Sequence, residues 1–266
     1  MYNTCPKCGH ARAPSSNEAK DRCPQCGLVY RKWFNRRFRK NLKDAEFPSA
    51  AGDSSVVYRL RELFLAVKPE TCRPAFYARC LVFVGMLVWG WNFISMDYYT
   101  IQDGVRINIA LPEIYQSFLH NVNLIFHEAG HILFMPFGRL MSILGGSLMQ
   151  ILMPLTVMLV FLLKERNTFG AAVGLWWTAQ SLMDVAPYIN DARAGQIPLL
   201  GGGTGVDRPG MHDWHNILSE LDMLSSDYLL AGIVDGLGTL LMLTSFAWGG
   251  LVLFRQYKNL TALGAS

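Results

Sequence analysis

Five apolar runs, at 80–96, 114–137, 140–163, 168–190 and 228–254, constrain this chain more than anything else in it. Each approaches the roughly 20 residues a helix needs to cross about 30 Å of hydrocarbon. A composition of 51% hydrophobic and only 17% charged residues agrees, and argues against an ordinary soluble enzyme. The second and fourth runs carry polar and ionisable groups that weaken their hydropathy. Such groups are costly in a bilayer unless they bind or pair with something, so they are where function is expected.

The first run starts about 80 residues in, so it reads as a retained anchor rather than a cleaved signal. The net charge of +4 is concentrated: Arg31, Lys32, Arg36, Arg37, Arg39, Lys40 and Lys43 crowd one stretch, interleaved with Trp33, Phe34 and Phe38. The positive-inside tendency places that stretch in the cytoplasm, and next to a membrane it suits anionic lipid headgroups better than nucleic acid. Asp97, Asp103 and Glu113 fit the outer side, whereas Lys164 and Arg166 run against the scheme. Residues 47–55 read as a linker, and the apolar spacing over 56–68 predicts an interfacial amphipathic helix ended by Pro69.

Ahead of the basic stretch stand two knuckles, Cys5-Pro-Lys-Cys8-Gly and Cys23-Pro-Gln-Cys26-Gly. Each presents two thiolates from a tight turn, and together they make a four-sulfur site for a structural zinc ion. Two disulfides are the alternative, but a cytoplasmic location disfavours them. The stretch resembles the zinc-ribbon family over roughly residues 1–30, which implies a small metal-folded β module.

Within the second apolar run lies His127-Glu128-Ala129-Gly130-His131. On a helix the two imidazoles share a face, and the carboxylate beside them can reach a water held by the metal they bind. A zinc ion that hydrolyses a bond needs a third protein ligand and an open position. Asp184, the ionisable residue inside the fourth run, is the expected third ligand. Counting back from the ends of two parallel helices puts it level with His131. Pro187 follows it and frees backbone carbonyls that could hold an extended substrate strand.

The loop after the fourth run holds Gly201-Gly202-Gly203-Thr204-Gly205 and then His212-Asp213-Trp214-His215. The glycines lack the lysine of a phosphate-binding loop and read as a flexible segment. His212 is a further candidate, as a metal ligand or as a donor to an oxyanion, with Asp213 orienting a neighbouring imidazole. Asp191, where the fourth run emerges, is a weaker ligand candidate, and Asp235 in the fifth run carries no expected chemistry.

His-Glu-x-x-His on one helix, a return helix, and an aspartate on the next resemble the core of the site-2 protease family of intramembrane zinc metalloproteases, over roughly 114–190. The resemblance implies that His127, His131 and Asp184 ligate zinc and that Glu128 is the general base. Met183-Asp184-Val185 departs from the family, which follows its aspartate with glycine and precedes it with an Asn-Pro-type element.

The expected fold is therefore an all-α polytopic membrane protein of about five transmembrane helices with a small N-terminal β zinc-ribbon domain. Its parts are a ribbon at 1–30, a basic and amphipathic linker at 31–74, and a membrane domain at 75–266. The expected function is zinc-dependent endopeptidase action on a membrane protein or peptide, in an inner or plasma membrane with the N-terminus in the cytoplasm. Two zinc ions are expected, one catalytic and one structural. The alternatives are a membrane metal-binding or transport protein and an inactive scaffold acting through its ribbon.

Overall fold

The computed structural model describes residues 4–11, 22–30, 33, 56–67, 72–97, 99–102, 105–108, 112–208 and 210–263. The chain divides into two compact units, Met1–Ser54 and Ser55–Ser266. Apart from Tyr30 and Trp33, the basic stretch read for lipid headgroups lies outside the described residues, as does the linker at 47–55.

In the first unit the two knuckles repeat one local design. The N–H of Cys5 donates to the carbonyl of His10 and that of Gly9 to Cys5, each at 2.9 Å; Cys23, Leu28 and Gly27 reproduce the pattern at the same distance. Gly9 and Gly27 sit at φ +73° and +68°, a region open to glycine, which explains the glycine that closes each knuckle. Each knuckle carries one isolated bridge, Thr4 with Ala11 and Arg22 with Val29, and no longer strand occurs among the described residues of this unit.

Among its described residues the second unit is helical apart from one hairpin and an isolated bridge between Pro198 and Thr204. Its elements are α1 (Val56–Leu65), α2 (Arg73–Ser95), β1 (Tyr99–Gln102) paired antiparallel with β2 (Val105–Asn108), α3 (Phe118–Phe134), α4 (Arg139–Leu159, continued by a π turn at Val160–Lys164), α5 (Thr168–Asn190), α6 (Asp213–Glu220) and α7 (Asp227–Leu263). Among the described residues, three stretches are long and apolar enough to cross a membrane: Arg73–Ser95, Arg139–Lys164 and Leu224–Thr261. The other two apolar runs fold as helices too, but they spend their length differently. α3 has 17 residues, about 25 Å of helix, and α5 buries Gln180, Ser181, Asp184 and Asn190 among its apolar side chains.

α5 is the hub, buried over most of its length. Ala171, Ala172, Ala179 and Ala186 are fully covered, and small side chains let neighbouring backbones approach closely. Met86 and Phe93 of α2 pack with Trp176, Ala179 and Met183 of α5 and Met242 of α7. Trp176 Nε1 also donates to the Met86 carbonyl at 3.0 Å. The outward side of α2 stays apolar, with Leu81, Val88 and Trp91 exposed as a bilayer-facing surface requires. α1 ends at Leu65, and its last carbonyls are not left open: Trp248 donates to Phe64, Arg255 to Leu65, and Thr168 to Ala66.

The crossing of α3 and α4 positions the site. α4 begins after Gly138, whose φ of +98° only glycine adopts freely. The helices then meet at Gly130 and Gly145, where a Cβ on Gly130 would run into the Gly145 carbonyl. That contact brings the polar face of α3 against α4, while Phe118, Ile125 and Ile132 on its other side remain exposed.

Candidate metal centre

The four cysteine sulfurs of the first unit lie within 4.8 Å of one another. Cys5–Cys26 and Cys8–Cys23 stand 3.7 Å apart, Sγ to Sγ, and all four thiols are free. A disulfide needs about 2.05 Å, whereas a tetrahedron with 2.3 Å zinc–sulfur bonds has edges of about 3.8 Å. The spacing therefore fits a metal ion such as zinc held by four sulfurs, and it is too long for a disulfide in this structure. Desolvation opposes ionisation of Cys23, yet the backbone amides of Cys26 and Gln25 bring it down to about 6. At Cys8 the His10 backbone favours the thiolate, but desolvation and the other three sulfurs push it up to about 12. Four sulfurs this close can all ionise only around a cation.

A second group forms on α3, where the ligand atoms of His127, Glu128 and His131 also lie within 4.8 Å of one another. A carboxylate from α6 comes closer still. Asp213 Oδ2 is 3.1 Å from His127 Nε2 and 3.4 Å from His131 Nε2. Zinc bonds of 2.0–2.1 Å to nitrogen and oxygen give tetrahedral edges of about 3.3–3.4 Å, so the three atoms sit near the corners of such a site. The outer nitrogens agree: His127 Nδ1 faces Gln150 Oε1 at 3.2 Å and His131 Nδ1 faces the Ser142 carbonyl at 2.9 Å. When each Nδ1 carries the proton and donates it to its oxygen, both Nε2 lone pairs turn toward Asp213. Two ring nitrogens and a carboxylate oxygen thus converge at a spacing that suits a bound zinc ion.

Space for that cation comes from α4. A Cβ on Gly146 would lie 2.7 Å from Nε2 of both His127 and His131, so any larger residue there fills the metal position. Asp213 is held in turn by its surroundings. Its N–H donates to the Tyr188 hydroxyl at 3.1 Å, and Trp214 Nε1 next to it donates to Ser147 of α4 at 3.0 Å. Burial opposes the charge of Asp213, but the imidazoles of His127 and His131 hold its carboxyl down to about 2. Glu128 is exposed to the cavity beside this cluster, and no hydrogen bond or ion pair among the described residues occupies its carboxylate. The cavity measures about 1140 Å³, with His120, Glu128, Tyr188 and Arg208 among its walls.

Asp184 is not brought to the histidine pair. It sits one to two turns further back along α3, where His120 Nδ1 (3.0 Å), Asn123 Nδ2 (3.2 Å) and Gln150 Nε2 (2.7 Å) surround it. The count from helix ends fails because the ends of α3 and α5 are not level, and hydropathy carries no information on axial offset. His212 is not a ligand in this arrangement either. It is the N-cap of α6, accepting from the His215 N–H at 3.2 Å, with its Nε2 on Asp191 at 3.3 Å and its ring packed 4.3 Å from that of Tyr188. The expected roles are reversed, since His212 positions the helix that carries Asp213. Asp191 is not among the ligands: its two oxygens accept the N–H groups of Gln196 and Ile197 and tie the loop to the end of α5.

Gln150, Gly146, Tyr188 and His120 escaped the sequence reading as site residues. A signal existed for one of them, because His120 lies seven residues before His127 and so shares its face of α3. No protein-family model matches the chain, and no curated protein or solved structure matches it significantly.

Proposed function

We propose that the chain is a zinc-dependent endopeptidase that cuts membrane-associated protein or peptide substrates. The observation that carries this reading is the convergence of His127 Nε2, His131 Nε2 and Asp213 Oδ2 at tetrahedral spacing beside the unoccupied carboxylate of Glu128. When bound, zinc supplies a Lewis acid that lowers the pKa of water and polarises a carbonyl. Glu128 accepts the proton of the attacking water as its oxygen bonds to the carbonyl carbon, then delivers that proton to the amine as the C–N bond breaks. Tyr188, whose oxygen already accepts from Asp213, keeps its own O–H free to point into the cavity.

The membrane setting follows from the three apolar helices, and we read α3 and α5 as two further crossings that complete five. The exposed Phe118, Ile125 and Ile132 on the outer side of α3 support that reading. The knuckles form a zinc ribbon on the cytoplasmic side of an inner or plasma membrane, and Cys5, Cys8, Cys23 and Cys26 hold its structural zinc. Metal transport, the other reading, requires free ligands along a path. Asp184 and His120 are instead engaged with each other.

The test replaces Glu128 with Gln in the full chain. Two zinc ions per chain should remain, while cleavage of membrane substrates, compared by proteomics of membranes holding either form, falls by on the order of 10²–10⁴. Cleavage at the wild-type rate would rule out the peptidase reading.

A further inference from the structure

The geometry points to Asp184 as the residue that fixes the tautomer of His127, acting through Gln150, so that the Nε2 lone pair faces the metal position. This inference rests on the zinc reading of that site.

The chain of contacts runs from α5 through α4 to α3. Asp184 is 2% exposed, and a carboxylate offers acceptors to the groups around it. Gln150 Nε2 donates to Asp184 Oδ2 at 2.7 Å. The two ends of an amide are alike in shape and opposite in polarity, so a carboxylate on one side decides which end faces the other. Gln150 Oε1 is thereby turned to His127, 3.2 Å from Nδ1. An oxygen acceptor at that position obliges Nδ1 to carry the proton, and the lone pair is left on Nε2.

His131 needs no such device. Its Nδ1 faces the backbone carbonyl of Ser142, which has a single polarity and cannot flip. His127 alone depends on a side-chain amide, and an amide left to itself could turn its NH₂ toward the ring. The opposite tautomer would then aim an N–H at the metal position. Asp184 is itself braced against rotation. His120 Nδ1 reaches its two oxygens at 3.0 and 3.2 Å, and Asn123 Nδ2 reaches Oδ2 at 3.2 Å. Asn123 is fully buried and held in turn by Trp177 Nε1 and Ser181 Oγ. Gln150 and Asp184 are 5% and 2% exposed, and so buried a polar contact holds its polarity more strongly than one in water. Asp184 is thus a positioning residue, removed from the metal by one amide and one ring.

The experiment measures zinc retained per purified full-length chain against increasing chelator, with the cysteine-bound zinc as an internal reference. Asp184→Leu should weaken retention at the histidine site by about 10–100-fold, as expected when the partner that orients a ligand is lost, and leave the reference unchanged. Adding Gln150→Glu to that variant should restore most of the affinity, because a carboxylate presents an oxygen to His127 Nδ1 whichever way it turns. A residue that merely packs, or that ligates the metal itself, is not rescued from position 150, so failure of the double variant overturns the inference. Gln150→Met keeps Asp184 and should show the same loss. It decides the matter if Asp184→Leu does not fold, and unchanged retention in it overturns the relay. His127→Ala separates the two readings: if both zinc ions persist there, the metal site itself is wrong, whereas their persistence in Gln150→Met alone removes only the relay.

Discussion

Two aspartates bear on the same pair of imidazoles, Asp213 directly and Asp184 through Gln150, and their surroundings differ in the one respect that matters. Asp184, in the middle of α5, receives three protein donors, from His120, Asn123 and Gln150. Asp213, at the start of the short α6, turns Oδ2 to two ring nitrogens that already have their donors committed elsewhere. A carboxylate whose lone pairs are satisfied by the protein can hold other groups in place. A carboxylate left facing two ring nitrogens is free to share a cation with them. Position in an apolar run, which favoured Asp184 in the sequence, is thus a poorer guide to ligation than the count of donors around each oxygen.

The strongest way to break this contrast is to exchange the two losses. Asp213→Ala removes a ligand and should abolish zinc retention at the histidine site, an effect beyond the roughly 10–100-fold typical of losing a residue that only orients a ligand. Elemental analysis after dialysis against a chelator reads it directly. If Asp213→Ala kept its zinc while Asp184→Leu lost all of it, the roles assigned here would be inverted. Gly146→Ala comes next and carries opposite signs in two readouts. Its methyl would sit 2.7 Å from both Nε2 atoms and should displace the metal. Alanine also favours the helix by about 1 kcal/mol over glycine, so the zinc-free protein should melt no lower than before. A protein that loses both zinc and fold would point to packing rather than to the metal position. Cys23→Ser tests the other unit: zinc should drop from two ions to one per chain, with the histidine-bound ion unaffected.

The helical fold was legible because each apolar run is long, and all five runs do form helices. The spacing of the cysteines and of His127 and His131 was equally legible, since knuckles and a four-residue helical step are local geometry. What could not be read was everything that depends on how helices slide past one another. Asp184 was placed by counting from helix ends that turn out not to be level. The polar loop around Asp213 gives no sign in sequence that Asp191 ties Gln196, Ile197 and His212 together and so delivers α6 to the site. Gly146 looks in sequence like any small residue in a membrane helix, and only the crossing at Gly130 and Gly145 shows that two imidazoles lie against it.

The finest test of the comparison concerns how Asp213 is delivered. His212 caps α6 by accepting the His215 N–H, and its far nitrogen rests on Asp191, whose oxygens also hold the returning loop. Loss of a helix N-cap costs about 1 kcal/mol, and that loss falls on the eight-residue helix that begins with the ligand. His212→Ala should therefore weaken zinc retention by only about fivefold, the equivalent of that energy, through a less well-fixed Asp213. His212→Asn supplies another capping acceptor and should recover part of it. A complete loss of zinc in His212→Ala would instead make His212 a ligand in its own right, and the division between a residue that binds and residues that hold it in place would have to be redrawn around α6.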